Sequence, residues 1–241
     1  MSKKTKLYEG KTKIVYAADD ENTVMLDFKD DAVPGDKGKK GKIKGKGIIN
    51  NTMSCHLFQY LQRYNVPTHF IEQKSDRQMV VKKAEMINIE VCMRNVAAGN
   101  LCKRYSIEEG LELETPIVEL YLKGDSLNGP LINEYHAYAM KLATREEIQY
   151  ITKQAIKINA VLKSYFNRRS ILLVDFKIEF GRTDNGIILC DEISPDTCRF
   201  WDSNTRKKMD KDRFLQDLGD IEKSYKEVLD RTLGSESKSK N

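Results

Sequence analysis

Charged side chains alternate along one predicted strand, with a spacing that could support metal and anion chemistry. The segment ILLVDFKIEF (171–180) has Asp175, Lys177 and Glu179 at every second position. Because successive strand residues point to opposite faces, these three share one face and the apolar residues between them form the other. A strand buried on its apolar face would therefore present an acid, a base and a second acid.

A hairpin is predicted directly after this strand. If residues 184–186 form a three-residue loop, with Gly186 in the left-handed conformation, Glu179 pairs with Asp191. Carboxylates that face each other across a sheet repel, so a cation is expected between them. Mg²⁺ is suited to this position, because it takes one or two carboxylates and completes its shell with water and phosphate oxygens. The alternative is a solvated hairpin face on which Lys177 neutralises its neighbours.

A second charged cluster follows Pro195. Asp196, Thr197, Cys198 and Arg199 stand together in a predicted loop. An arginine in a loop can bind an anionic group through two parallel hydrogen bonds. This cluster is therefore a candidate for anion binding.

A glycine-lysine segment near the N-terminus is a candidate for phosphate binding. Gly10 stands where a tight turn is expected, and Lys11, Thr12 and Lys13 add backbone N–H groups and two ammonium groups. No Gly-Lys dipeptide completes the G-x-x-x-x-G-K-[ST] motif, which excludes a P-loop. The motifs of a Rossmann dinucleotide site and of an ordinary protein kinase are also missing, so an ATP site must combine this turn with distant carboxylates.

The basic charge of the chain is concentrated in one segment. The formal net charge is +5, and residues 37–46 (KGKKGKIKGK) contain six lysines and no acid, so the rest of the chain is slightly acidic. No aromatic residue lies between Phe28 and Phe58 on which a base could stack, which argues against nucleic-acid binding. The segment is either a solvated loop without a partner or a lid that closes over substrates.

Cysteine, histidine and apolar patterns indicate a cytoplasmic protein. The five cysteines form no CxxC pair and the three histidines lie at no metal-ligand spacing, so reduced thiols in ordinary packing are expected. No apolar run approaches the ~20 residues needed to span a bilayer. We therefore expect a protein that is neither exported nor embedded in a membrane.

Strand patterns dominate the first part of the chain. Residues 6–29 alternate as an antiparallel meander, and further strands are predicted at 69–73, 78–83 and 87–93. Together with the helices below, they predict an α+β fold of two lobes. The predicted parts are an antiparallel β-rich N-terminal lobe (1–83), a mixed α/β C-terminal lobe (84–233) and a disordered tail (234–241).

Three helices are predicted from apolar residues at steps of three and four. The first follows the lysine-rich segment, and the second begins at a capping box of Thr144 and Glu147. The third has an apolar stripe at 214–228 that is interrupted by Gly219. The stripe of the second helix is expected to lie in the core.

Several segments together resemble the SAICAR synthetase family of purine biosynthesis. In chain order they are YEGKTK (8–13), PGDKGKK (34–40), KGIINN (46–51), IEVCMRNVAAG (89–99), VDFKIEFG (174–181), DEISPDTCRFWD (191–202) and MDKDRF (209–214). They cover nearly the whole chain, from about residue 6 to about residue 230. So many segments in register are specific, and VDFKIEFG with DEISPD is close to a family signature.

The resemblance implies a ligase that uses ATP. The expected reaction condenses 4-carboxy-5-aminoimidazole ribonucleotide (CAIR) with L-aspartate to give SAICAR, while ATP is hydrolysed to ADP and phosphate. The expected course is phosphorylation of the CAIR carboxylate to an acyl phosphate, followed by attack of the aspartate amine. ATP bound between the lobes and Mg²⁺ are the expected cofactors. A cytoplasmic homodimer without nucleic-acid or membrane partners is also expected.

The resemblance also implies roles for individual residues. The expected catalytic residues are Lys177, Glu179 and Asp191, of which Glu179 and Asp191 also hold Mg²⁺. The expected ATP-binding residues are Gly10, Lys11, Thr12, Lys13, Val15, Val81, Lys82, Met86 and Lys123, together with Glu179 and Asp191. The expected substrate-binding residues are Asp36, Arg94, Asn100, Asp196 and Arg199. Many family members have serine where this chain has Asn100.

Two other classes of function stay open on the sequence. A kinase-like phosphotransferase would share the ATP and Mg²⁺ sites, but it would turn over without L-aspartate. A nucleic-acid-binding module would use the lysine-rich segment, and its binding would depend steeply on salt concentration.

Overall fold

The computed structural model describes residues 5–32, 41–124 and 129–234, which form antiparallel sheets and the helices packed on them. The strands are β1 (Lys6–Glu9), β2 (Lys13–Ala17), β3 (Thr23–Phe28), β4 (Asp31–Ala32), β5 (Gly41–Lys42), β6 (Phe70–Gln73), β7 (Gln78–Lys82), β8 (Glu85–Val96), β9 (Glu112–Leu122), β10 (Leu131–Ile132), β11 (Ile171–Thr183), β12 (Gly186–Cys190) and β13 (Cys198–Asp202). The helices are α1 (Lys46–Gln62), α2 (Asn100–Tyr105), α3 (Glu134–Ala139), α4 (Arg145–Asn167), α5 (Asp212–Leu215) and α6 (Ile221–Leu233). Antiparallel sheets with separate helices confirm the predicted α+β class.

The first large sheet has the strand order β1-β2-β3-β7-β6, and its neighbouring strands are antiparallel. It contains the meander predicted at 6–29. In the first turn, the backbone N–H of Gly10 donates to the carbonyl of Lys13 at 2.8 Å. The buried side chains of this sheet include Leu26 and Met79, and α1 contacts β3, β6 and β7.

The second large sheet has the order β10-β9-β8-β11-β12, and β13 also pairs with β11. Its centre is the antiparallel pair of β8 and β11, in which Arg94 lies opposite Asp175 and Cys92 lies opposite Lys177. Phe176, between the two charged residues of β11, points to the other face and is fully buried. The sheet therefore has one polar face and one apolar face.

Helix α4 packs against the strands of the second sheet. Its N-terminus has the predicted capping box: the Glu147 N–H donates to the Thr144 hydroxyl at 3.2 Å, and the Thr144 N–H donates to the Glu147 carboxylate at 2.8 Å. The predicted stripe is buried, and it consists of Ile148, Ile151, Ala155, Ile158, Leu162 and Tyr165. The stripe lies on one face because the helix repeats every 3.6 residues.

One hydrophobic core joins the two large sheets. It includes Met79 of β7, Met53 of α1, Leu162 of α4 and Phe176 of β11. The chain passes from β7 to β8 at residues 83–84, where the sequence predicts the lobe boundary. Division into two lobes stays a prediction, since the core is continuous across this connection.

The apolar stripe at 214–228 does not lie on one continuous closing helix. The chain forms the short α5, then a turn, then α6. Leu218, which belongs to the stripe, lies in the turn between the two helices and is 44% exposed. The helix is broken at this turn, in which Asp217, Gly219 and Asp220 all have positive φ angles that cannot continue a right-handed helix.

The structure describes residues 41–46 of the lysine-rich segment 37–46. Residues 41–42 form β5, Ile43 is buried, and Lys46 is the first residue of α1. The side chain of Lys46 is only 1% exposed, so a solvated loop is the wrong description of this residue. Ile43 packs in a small cluster with Tyr225, which draws the end of the segment into the fold.

Three parts of the sequence-based predictions fall outside the described residues. They are Asp36, the lysines at 37–40 and the tail beyond Gly234. Among the helices that the structure does describe, none is long and apolar enough to cross a membrane.

Candidate active site

The polar face of the second sheet carries a row of charged residues along β11. Asp175, Lys177 and Glu179 follow one another on this face, opposite the buried Phe176 and Ile178. This arrangement confirms the predicted alternation. Side chains of β8, of β13 and of Lys123, which directly follows β9, form ion pairs with the three residues, so the row connects several elements.

The register of the hairpin after β11 differs from the predicted one. Glu179 pairs with Cys190 and not with Asp191, so the predicted pairing was wrong by one residue. The cause is the turn, because residues 184–185 alone connect the strands. Gly186 does have the expected positive φ, at +105°, but it already pairs as the first residue of β12.

Glu179 and Asp191 interact although they are not paired in the sheet. Asp191 lies just beyond β12 and has a φ of +65°. Burial and the charge of Asp191 raise the pKa of Glu179 to about 7. Lys123 contacts the Glu179 carboxylate and Lys13 contacts the Asp191 carboxylate, so two ammonium groups offset the repulsion.

This carboxylate pair fits Mg²⁺ by its chemistry. Both side chains offer the oxygen ligands that Mg²⁺ prefers, and one or two carboxylates are enough when phosphate oxygens and water complete the octahedron. Among residues 5–32, 41–124 and 129–234, no group of three or more His, Cys, Asp and Glu side chains could hold a metal. The pair therefore fits an ion shared with a phosphate ligand better than a closed metal site.

Lys13 joins the first sheet to the carboxylate pair. Its ammonium group contacts Asp191 and lies 2.8 Å from the buried carboxylate of Glu192, which also accepts from the Ser194 hydroxyl at 2.6 Å. Burial lowers the pKa of Lys13, but the charges of Asp191 and Glu192 outweigh it and hold the pKa above its ordinary range. Lys13 thus stays charged where the two sheets meet.

The other predicted ATP-binding residues lie in the first sheet and at its connection to the second. Gly10, Lys11 and Thr12 form the turn directly before Lys13. Val15 lies in β2, Val81 and Lys82 end β7, and Met86 is the second residue of β8. Val81 is buried in the core, whereas Lys82 is exposed. Contact of these residues with a nucleotide stays a prediction.

Two arginines meet at the other end of the row. Arg94 donates to Asp175 at 2.6 Å and to Glu119 at 2.7 Å. Arg199 donates to Asp175 at 2.8 Å and to Asp212 at 2.7 Å. The structure therefore brings together the two arginines that were expected to bind the substrate, with Asp175 between them.

Asn100 directly follows a glycine that packs against Arg199. Gly99, just before it, has a φ of +59°, and a Cβ atom at Gly99 would lie only 2.7 Å from Nη2 of Arg199. Both the backbone angle and the close approach require glycine at this position. As the first residue of α2, Asn100 consequently stands next to the predicted substrate site.

Several residues that contact the row from other elements were not predicted from the sequence. Lys177 contacts Glu90 of β8, and Glu119 and Tyr121 of β9 hold the arginine end together with Arg104 of α2. The alternation of residues 119 and 121 in β9 could have been recognised in the sequence. Its relevance to the site depends on the pairing of β9 with β8, which the sequence did not predict.

Asp196 is enclosed by two helices that the sequence did not assign to the site. Its Oδ2 atom contacts the ammonium group of Lys46 and accepts from Asn50 at 2.8 Å. Its Oδ1 atom accepts from the Tyr225 hydroxyl at 2.9 Å. Lys46 and Asn50 are four residues apart on α1, a spacing that places them on one face of the helix.

One groove borders the arginine end of the charged row, because Glu119 belongs to its lining. It has a volume of about 830 Å³ between β9, α3 and α4, and its lining includes Tyr135, Tyr138 and Ile156. None of the predicted site residues lines it. The charged row on β11 is therefore the candidate active site.

Comparison with protein families and curated relatives gives one family. The family model of SAICAR synthetase matches residues 6–232. A phosphoribosylaminoimidazole-succinocarboxamide synthase of Thermoanaerobacter sp. (strain X514) is 53% identical over 234 residues, which cover 97% of this chain and 100% of the relative.

Solved structures give the same result. A SAICAR synthetase (Type-2) in complex with ADP superposes with a TM-score of 0.91 and 46% identity, over 94% of this chain and 97% of the other. A phosphoribosylaminoimidazole-succinocarboxamide synthase from Ehrlichia chaffeensis has a TM-score of 0.92 and 41% identity, over 96% of this chain and 99% of the other.

Proposed function

The chain belongs to the SAICAR synthetase family, and from this membership we propose how its charged row performs the ligation of CAIR to L-aspartate in purine biosynthesis. The CAIR carboxylate attacks the γ-phosphorus of ATP, the bond to the β-γ bridging oxygen breaks, and ADP leaves. The aspartate amine then attacks the acyl carbon, a C–N bond forms, and phosphate leaves with the former carboxylate oxygen. The amine loses its proton in this second step.

The order of charged residues along β11 carries the proposal. Glu179 stands at one end with Asp191, and Asp175 stands at the other end with the two arginines. Four residues of strand span about 13 Å. Lys177 lies midway, about 7 Å from each end, where an ammonium group can neutralise a phosphoryl group in transfer.

The Glu179 end is proposed to take ATP. The turn formed by residues 10–12, with Lys13 after it, covers the phosphates, and Lys123 neutralises the γ-phosphate. Glu179 and Asp191 hold Mg²⁺, which neutralises charge on the phosphate oxygens when it is bound. The segment 81–86 lines the adenine. The ADP complex of a relative with 46% identity supports a nucleotide site in this fold.

The Asp175 end is proposed to take CAIR. Arg94 and Arg199 bind its phosphate or carboxylate, and Asn100, Asp196 and Asp36 complete the contacts. A guanidinium group has five N–H donors, so each arginine keeps donors for a ligand while it remains bound to Asp175.

A cytoplasmic homodimer stays a prediction.

The test is ADP release with ATP, Mg²⁺, CAIR and L-aspartate, leaving out each in turn. The ligase predicts full turnover only with all four present. ADP release at an unchanged rate without L-aspartate would instead identify a kinase-like phosphotransferase.

A second measurement tests the acyl phosphate. If CAIR is labelled with ¹⁸O in its carboxylate, the released phosphate should carry one labelled oxygen, because that oxygen leaves with phosphorus. Unlabelled phosphate would contradict the acyl-phosphate step while leaving the ligation itself established.

A further inference from the structure

Asp196 lies near the end of the loop between β12 and β13 and is held by side chains of two helices. Lys46 and Asn50 of α1 both donate to its Oδ2 atom, and Tyr225 of α6 donates to its Oδ1 atom. Lys46, Asn50 and Tyr225 are each at most 1% exposed. In addition, Lys211 donates to the backbone carbonyl of Asp196 at 2.8 Å.

The two helices bind different oxygens of this carboxylate. Both donors of α1 bind Oδ2 and the Tyr225 hydroxyl binds Oδ1, so the two helices together restrain rotation of the carboxylate about its Cβ–Cγ bond. Rotation about such a terminal bond has only a broad, shallow preference of its own. The Tyr225 bond is therefore the restraint on Oδ1, and without it only the contacts to Oδ2 hold the orientation of the plane.

We propose that Tyr225 is a positioning residue for CAIR, which orients the Asp196 carboxylate and the loop around it toward the substrate. This inference rests on the proposed function, in which Asp196 contributes to the CAIR site. Arg199, the second residue of β13, follows Asp196 by three positions in the chain.

The Tyr225 hydroxyl is suited to this role as a permanent donor. Burial and the neighbouring charge of Asp196 hold the pKa of Tyr225 well above its usual range. The hydroxyl consequently keeps its proton and is available as a donor to Asp196.

Tyr165 provides a matched control. It is also a fully buried tyrosine, and its hydroxyl donates to the backbone carbonyl of Thr232 near the end of α6 and contacts His56. Tyr165→Phe and Tyr225→Phe each remove one buried hydroxyl. The Tyr165 hydroxyl donates to the backbone of α6, and the Tyr225 hydroxyl donates from α6 to Asp196. Only the second hydroxyl touches a residue of the proposed site.

The experiment compares both variants with the wild-type chain in steady-state kinetics and thermal unfolding. Tyr225→Phe should raise the KM for CAIR about tenfold, the scale of a hydrogen bond to a charged group, and leave the KM for ATP within about twofold. Tyr165→Phe should lower the unfolding temperature by a similar amount as Tyr225→Phe, with both KM values unchanged. An unchanged CAIR KM in Tyr225→Phe, or an equal rise in Tyr165→Phe, would overturn the proposal.

A second comparison tests whether Tyr225 acts through Asp196. In the Asp196→Ala background, Tyr225→Phe should cause no further change in the CAIR KM, because the bond it removes is already absent. Fully additive effects would overturn the proposal. Wild-type turnover with CAIR and L-aspartate tests the proposed function by itself, so failure of that function is distinguishable from failure of this role.

Discussion

At the scale of single residues, the carboxylate pair of Glu179 and Asp191 gives the most direct prediction. Glu179→Gln and Asp191→Asn each remove one ligand charge with almost no change in volume, so both variants should keep their fold. We expect turnover to fall by about 10²-fold or more, as for other losses of transition-state charge stabilisation. Steady-state rates at several Mg²⁺ concentrations and thermal unfolding measure both effects.

A matched control for the carboxylate pair is Glu85→Gln. Glu85 belongs to the same sheet, but its side chain is 77% exposed. Its carboxylate lies 3.2 Å from Arg182. This variant should keep the wild-type rate. Near-normal turnover of both Glu179→Gln and Asp191→Asn at ordinary Mg²⁺ would remove the pair from the metal site.

The arginine end of the row gives a second prediction for single residues. Arg199 donates to Asp175 and Asp212 through different nitrogens, a geometry that lysine cannot copy although it keeps the charge. Arg199→Lys should therefore weaken CAIR binding by about 1.5–3 kcal/mol and leave the KM for ATP nearly unchanged. Titration calorimetry with CAIR and steady-state kinetics check this.

Arg206→Lys is the control for this substitution. Arg206 is also paired with a carboxylate, Glu112, but both side chains are largely exposed. We expect CAIR binding like that of the wild type. If Arg199→Lys binds CAIR as tightly as Arg206→Lys, then Arg199 is not part of the substrate site.

At the scale of elements, the capping box of α4 should affect stability and not catalysis. Thr144→Ala removes the acceptor for the Glu147 N–H and should lower the free energy of unfolding by about 1 kcal/mol. Thr144→Ser keeps the hydroxyl and should behave like the wild type. Kinetic constants should not change, because α4 packs away from the polar face of the second sheet. Urea unfolding that is equal in the alanine and serine variants would contradict the cap.

At the scale of the whole molecule, the continuous core predicts one cooperative unfolding transition. The core joins β7, α1, α4 and β11, so the first sheet cannot unfold without exposing apolar surface of the second. Trp201, the single tryptophan, is 3% exposed in β13 and reports on the second sheet. Its fluorescence and the far-UV circular dichroism should therefore change at the same urea concentration.

Separate transitions of the two signals would contradict this prediction and would favour two independent lobes. A fall in circular dichroism before any change at Trp201 would identify the first sheet as the part that unfolds earlier. ATP with Mg²⁺ should raise the midpoint of both signals together, because a ligand of the native state stabilises the whole cooperative unit.

The sequence by itself determined the features that depend on near neighbours. The capping box at Thr144, the stripe of α4 and the alternation of Asp175, Lys177 and Glu179 all follow from spacings of two to four residues. The family also followed from the sequence, because its motifs occur in order along nearly the whole chain. These features need no knowledge of how distant segments meet.

Tertiary structure alone decided the contacts between distant segments. The hairpin register depended on whether two or three residues turn, a small difference that moved Glu179 from opposite Asp191 to opposite Cys190. Lys46 and Tyr225 meet at Asp196 across separations of 150 and 29 residues. No local spacing encodes these contacts, because they form only when α1, α6 and the loop before β13 pack together. The buried carboxylate then needs hydrogen-bond donors, and the packing of these segments decides which donors are near.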